Sequence, residues 1–332
     1  MSLLDEVLKR DIRACARLLR WIDDGVEEAR PILKQLFPLT GRARVLGITG
    51  NPGMGKSTLT DQLIRTFRQR GATVAVIAVD PSSPFTGGAI LGDRIRMQDH
   101  ALDEGVFIRS FATRGHLGGL TSTTTDAVHA LDAMGWDVVL VETVGVGQGE
   151  VEIQRLAHTT VVVMAPGMGD EIQAIKAGIL EIADIFVVNK ADRDGADRTV
   201  RELSGMLEMG HALLPPAGED PDQRLTPQSW MPKIVKTVAV TGEGLSALMA
   251  ALDEHGQLIA CASHSAEFQR GRMRQAFLDV FRRTLFAHGW SYLMQDDHLQ
   301  QILDRLLARA SDPYTLAEQA VQNLGRPGNF FD

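Results

Sequence analysis

The stretch that most narrows what this chain can fold into is "GITGNPGMGKSTL", residues 47–59. Gly50, Gly55, Lys56 and Ser57 satisfy G-x-x-x-x-G-K-[ST], with Gly53 as a further glycine inside the loop. A β-branched apolar run precedes the loop and a helical pattern over 57–70 follows it. That order, strand, glycine loop, helix, turns backbone N–H groups and a helix N-terminus onto phosphates. Gly50, Asn51, Pro52, Gly53, Met54, Gly55, Lys56, Ser57 and Thr58 are therefore the expected phosphate-side residues. Lys56 reaches the β- and γ-phosphates in this motif, and the Ser57 hydroxyl ligates Mg²⁺.

The surrounding pattern supplies the rest of the fold. Apolar runs "RVLGITG", "TVAVIAVD", "VFIRS", "DVVLVE", "TTVVVMA", "DIFVVNK" and "KIVKTVAV" alternate with helical stretches. Most lack period-two alternation, as strands covered on both faces do. The expectation is an α/β P-loop NTPase with a mainly parallel central sheet and ligands at the carboxyl ends of its strands. Apolar residues from Leu4 to Ile22 recur at helical spacing, "DDG" at 23–25 breaks that helix, and a second runs over 26–37. Residues 215–232 hold five prolines and read as a surface loop. After about residue 255 strand signals stop, and two amphipathic helices and a short third are expected. The division is a helical extension at 1–42, a nucleotide domain at 43–255 and a helical arm at 256–332.

The base is chosen by "VVNKAD", which places Asn189, Lys190 and Asp192 just after an apolar run. Asp192 can accept hydrogen bonds from the ring imino and exocyclic amino groups of guanine. Adenine offers neither donor, and an unpaired carboxylate discriminates strongly. GTP is thus the expected nucleotide. Asn189 can brace the loop, the Lys190 stem can lie over the base, and Thr237, Val238 and Ala239 could contact the guanine oxygen.

"VLVETVGVGQ" puts Glu142 at a strand tip and Gly145 three residues on, the layout of a DxxG element with Glu for Asp. Glu142 would hold Mg²⁺ directly or through water, and the Gly145 amide would sense the γ-phosphate. Asp80 and Asp93 are the other carboxylates expected to face the ion; since Mg²⁺ usually takes only one or two, some of the three must lie behind it. Gln148 is a candidate for positioning the attacking water, with an exposed switch residue as the alternative.

A formal net charge of −8 gives no global basic field to draw the chain to nucleic acid or anionic lipid. Cys15 and Cys261 stand far apart, which excludes a disulfide framework and fits a reducing, cytoplasmic setting. No basic-then-apolar leader and no apolar run of about 18 residues is present, so neither a secretory signal nor a membrane span is expected.

Together "TGNPGMGKST", "VDPSSPFTGGAILGDRIRM", "FIRSFATRGHLGGL", "VETVGVGQGE", "APGMGDEIQAIKAGILEIADIFVVNKAD" and the late "DPY" resemble the MeaB/ArgK family. These are P-loop GTPases that serve adenosylcobalamin-dependent acyl-CoA mutases, methylmalonyl-CoA mutase above all. The resemblance implies a homodimer held by the C-terminal helical arm, and GTP turnover that gates cofactor delivery to the mutase and removal of damaged cofactor. It implies metal-side roles for Asp80, Asp93 and Glu142, and a switch at "GDEIQAIKAG" in which Gln173 and Lys176 signal to the mutase. Asn51, Met54 and Gly149 depart from the family's usual residues without removing a required donor. Leu278, Phe281, Leu285 and Phe286 form an apolar stripe; alone it reads as packing onto the sheet domain, and with the resemblance as a dimer interface. Three other readings stand: a nickel or cobalt metallochaperone GTPase, a GTP-dependent phosphotransferase acting on another protein, and a structural dimer whose nucleotide site is inert.

Overall fold

A computed structural model of the chain describes residues 2–80, 98–100, 102–112, 122–143, 149–167, 181–213, 230–263, 266–295 and 297–324. Among these, seven strands form one parallel sheet: β1 (Arg44–Thr49), β2 (Val74–Asp80), β3 (Val106–Ala112), β4 (Val138–Thr143), β5 (Thr159–Met164), β6 (Ile185–Val188) and β7 (Lys233–Lys236). Their order is β3-β2-β4-β1-β5-β6-β7, so β1 lies inside the sheet between β4 and β5. Each strand falls on one of the seven apolar runs. The expected parallel α/β architecture is the one that forms.

The runs are continuous because both faces are covered. Leu46 and Ile48 of β1 point into a cluster with Leu59, Leu63 and Ile64 of α4 (Lys56–Gln69) and with Leu248, Met249 and Leu252 of a later helix, Leu245–Ala262. Val45, one residue out of phase, joins the opposite cluster, as strand geometry requires. Fully burying each such aliphatic side chain contributes about 1.5–3 kcal/mol.

That opposite cluster is built largely by the chain's first helices, α1 (Leu3–Leu8), α2 (Ile12–Asp24) and α3 (Ala29–Leu36). Val7, Leu18, Leu19 and Leu36 pack with Ile77, Val79, Val139 and Val141 of the sheet and with Leu131 of α5 (Ser122–Ala133). The early helices thus roof one face of the sheet. Where a single helix is expected up to residue 22, the structure has two, because Arg10 adopts a left-handed φ of 60° and Asp11 caps α2 by accepting from the Ala14 N–H at 2.8 Å. Gly25 ends α2 with φ 68°, the left-handed C-cap that glycine favours.

Further along follow α6 (Gly149–Leu156), α7 (Ala196–Leu213) and α8 (Leu245–Ala262). Helix α8 runs on past the boundary expected at residue 255. The described residues divide into two compact units, one running up to Ala262 and the other from Ser263 onward. The second is helical: α9 (Ala266–Leu293), α10 (His298–Leu307) and α11 (Pro313–Asn323), with α9 contacting both others. The "DPY" stretch is a helix start, Asp312 capping by accepting from the Thr315 N–H while Pro313 occupies the first turn.

Candidate nucleotide site

The glycine loop joins β1 to α4 at the carboxyl edge of the sheet. Gly50, Gly53 and Gly55 all have positive φ, at 134°, 82° and 91°. Two of them are also closely approached: a Cβ on Gly50 would collide with the Val163 carbonyl, and one on Gly55 with the Asn189 side-chain amide. Gly55 caps α4 without a side chain, leaving the leading N–H groups of the helix directed at the loop. The Lys56 ammonium, nearly buried, donates to the carbonyls of Gly50 at 2.7 Å and Asn51 at 3.1 Å, so it lies along the loop it closes.

Strand pairing delivers the carboxylate. Ile48 of β1 pairs with Glu142 of β4, which puts Glu142 beside the loop that β1 feeds. Glu142 Oε1 accepts from the Ser57 hydroxyl at 2.7 Å, and Oε2 lies 2.8 Å from Thr60 Oγ1. All three residues are buried. One step on, the hydroxyls of Thr49 and Thr143 meet at 2.7 Å and tie the two strand ends together.

The opposite wall is organised by Asn189, which follows β6. Its Nδ2 donates to the Met54 carbonyl at 2.8 Å, and its Oδ1 accepts from the Ala239 N–H at 3.0 Å and the Thr237 hydroxyl at 3.2 Å. Lys190, at φ 56°, donates from Nζ to the Gly53 carbonyl at 2.7 Å. Strand β7 stops at Lys236, short of the run expected to reach 240. Thr237, Val238 and Ala239 instead enter a turn in which the Val238 N–H donates to the Glu243 carbonyl. Asp192 is exposed on the turn beyond Lys190.

A glycine loop, a lysine, a hydroxyl and a strand-end carboxylate thus meet in one place, and comparison with known proteins gives the family. The family model described as "Methylmalonyl Co-A mutase-associated GTPase MeaB" matches residues 16–291. The chain belongs to the MeaB family of GTPases. Among MeaB relatives, a putative GTPase of Pyrococcus horikoshii is 45% identical over 97% of this chain and 98% of its own. The GTPase ArgK of Escherichia coli is 37% identical over 74% of this chain and 70% of its own. A mouse protein named methylmalonic aciduria type A homolog, mitochondrial, is 36% identical over 74% of this chain and 56% of its own. A solved structure titled LAO/AO transport system kinase shares the fold, with a TM-score of 0.66 at 23% identity over 96% of this chain and 95% of that one.

For this MeaB-family chain, the structure brings together Gly50, Lys56, Ser57 and Glu142 on one side, and Asn189, Lys190, Thr237 and Ala239 on the other. Met54, one of the family departures, is buried in the core and offers its carbonyl to Asn189. Asp80 ends β2, with only its backbone described. Asp93, Gly145, Gln148, Gln173 and Lys176 lie outside the described residues.

One residue escapes a reading by motif. Thr60 stands one turn after Lys56, wholly buried, with its hydroxyl on Glu142. The available signal is a hydroxyl residue at i+4 from the lysine, on a helix face that otherwise packs leucine and isoleucine.

Proposed function

We propose that the chain is a GTP-hydrolysing chaperone that gates adenosylcobalamin loading, protection and reactivation of a cobalamin-dependent acyl-CoA mutase, with methylmalonyl-CoA mutase as its client. The observation that carries the nucleotide half is the contact of Ser57 with Glu142 beside a lysine-closed glycine loop. Membership of a family named for association with that mutase supports the other half.

The donors fit a hard divalent cation: a serine hydroxyl and a carboxylate oxygen 2.7 Å apart, both oxygen ligands of the kind Mg²⁺ prefers. Ser57 would hold Mg²⁺, with Glu142 directly or through water and Asp80 or Asp93 as further acids. Mg²⁺ supplies neutralisation of charge on the β- and γ-phosphate oxygens. Lys56 then exchanges the Gly50 and Asn51 carbonyls for phosphate oxygens, Asp192 selects guanine, the Gly145 amide senses the γ-phosphate and Gln148 orients water. Gln173 and Lys176 carry the state of the site to the mutase. The intrinsic rate is slow in this reading, and the client raises it.

The three-part division at 42 and 255, a cytoplasmic setting and a homodimer belong to the same proposal. No helix among the described residues is long and apolar enough to cross a membrane. Helix α9 supports the dimer: Phe277, Phe281, Leu285, Phe286 and Trp290 are each at least half exposed, and the Phe277–Phe281 and Phe286–Trp290 rings stack at 5.9 and 6.2 Å. An exposed aromatic row of this kind marks an interaction surface.

The deciding measurement is the GTP hydrolysis rate of the chain alone and with methylmalonyl-CoA mutase added. A many-fold acceleration is expected. No acceleration, with guanine-nucleotide binding intact, removes the client and favours the phosphotransferase reading, which labelled-phosphate transfer to protein would reveal. Light scattering at dimer mass is the companion result, and a monomer would overturn the role given to α9.

A further inference from the structure

We infer that Thr60 is a positioning residue for the metal side of the site: its buried hydroxyl holds one carboxylate oxygen of Glu142 so that the other faces Ser57. The inference rests on the nucleotide reading above and deepens it.

A glutamate has one more rotatable bond than an aspartate, so a glutamate at the end of β4 needs more restraint to present one oxygen in one place. The structure supplies that restraint from α4. Ser57 Oγ meets Oε1 at 2.7 Å and Thr60 Oγ1 meets Oε2 at 2.8 Å, so both carboxylate oxygens are engaged by hydroxyls three residues apart on a single helix face. Thr60 is itself held: β-branching stiffens its first rotor, and its hydroxyl lies 3.0 Å from the Lys56 carbonyl one turn back. The single hydroxyl proton is drawn mainly to the charged acceptor, which makes the stronger bond. Thr60 is wholly buried and Glu142 nearly so, so water does not readily replace a lost hydroxyl. Partners of this kind, behind a ligand, set its orientation and with it the affinity for the metal.

The test is a Mg²⁺ titration of mant-GDP binding by the full chain, with Mn²⁺ binding followed by electron paramagnetic resonance. Thr60→Val keeps shape and loses the hydroxyl. It is expected to need about tenfold more Mg²⁺ for the same gain in nucleotide affinity, while metal-free mant-GDP affinity stays that of the natural chain. Thr60→Ser keeps the hydroxyl and is expected to titrate as the natural chain does. An unchanged midpoint in Thr60→Val overturns the inference, and so does an equal shift in both variants, which would assign the effect to packing. If Thr60→Val does not fold, Thr60→Ala is read the same way. Absence of mant-GDP binding by the natural chain overturns the nucleotide reading itself, a result distinct from any difference between variants.

Discussion

Asn189 fastens Met54 to Ala239. Its amide nitrogen donates to the Met54 carbonyl at 2.8 Å, and its amide oxygen accepts the Ala239 N–H at 3.0 Å, with all three residues buried. One side chain thus joins the glycine loop to the turn after β7, which are remote in sequence. Replacing it with alanine strips both groups of their partner in a place water does not reach. Asn189→Ala is expected to lower stability by about 2–3 kcal/mol, read as a fall in the urea midpoint. It should also weaken GDP binding at least tenfold, and unchanged affinity would show that the tie has no part in shaping the site.

Base choice gives a second test. In the proposed reading a carboxylate at 192 accepts from guanine; an amide there would instead donate to the oxygen that xanthine carries at the same ring position. Asp192→Asn is expected to reverse the preference of GTP over XTP by about a hundredfold or more, measured by competition against labelled nucleotide. Because Asp192 is exposed on its turn, thermal stability should not change.

One ion pair at the C-terminal end of α4 contributes to acid tolerance. Arg68 donates from Nε and Nη2 to the two oxygens of Asp103 at 2.9 and 2.8 Å, and the Gly105 N–H donates to the same carboxylate. The guanidinium first, and that N–H second, hold the Asp103 carboxyl below its ordinary value of 3.8. A carboxyl depressed in the folded state stabilises above its unfolded pKa, and that contribution is lost as pH falls through the folded one. The urea midpoint of the natural chain should therefore exceed that of Asp103→Asn at pH 6, and the gap should close as pH drops below 3.8. A gap independent of pH would assign the difference to packing.

The two cysteines should differ sharply in reactivity. Cys15 lies in the core under the sheet, where burial pushes its thiol up to about 12 against a weaker opposing pull from Arg109. Cys261 is exposed. At pH 8 Ellman's reagent is expected to label one thiol per folded chain and two in guanidinium. Rapid labelling of both in the native protein would mean that α2 opens readily from the sheet.

The strands and the glycine loop were legible because their signals are local. Burial on both faces makes β1, β4 and β5 continuous apolar runs, and the loop's glycines, lysine and serine are adjacent in the chain. The end of β7 was not, since "TVAV" is as apolar as a strand. What stops it is the turn, with the Val238 N–H donating to the Glu243 carbonyl and Gly242 and Gly244 at positive φ. The break at Arg10 was hidden because Leu8, Ile12 and Cys15 keep helical spacing across it. Thr60 could not be paired with Glu142 from spacing at all; only the adjacency of β1 and β4 brings α4 to the tip of β4.

The bond from Lys190 to Gly53, beside the one from Asn189 to Met54, bears on how a guest is received. The wall assigned to the base and the wall assigned to the phosphates are stitched together by the protein's own groups. Two walls tied in this way have little to rearrange between themselves on encounter, so that share of the lost chain freedom is met at folding and not at capture, while Lys56 still has its two carbonyls to give up. Calorimetry on a guanine nucleotide should accordingly register a smaller entropic penalty for the natural chain than for Asn189→Ala, whose seam has been cut.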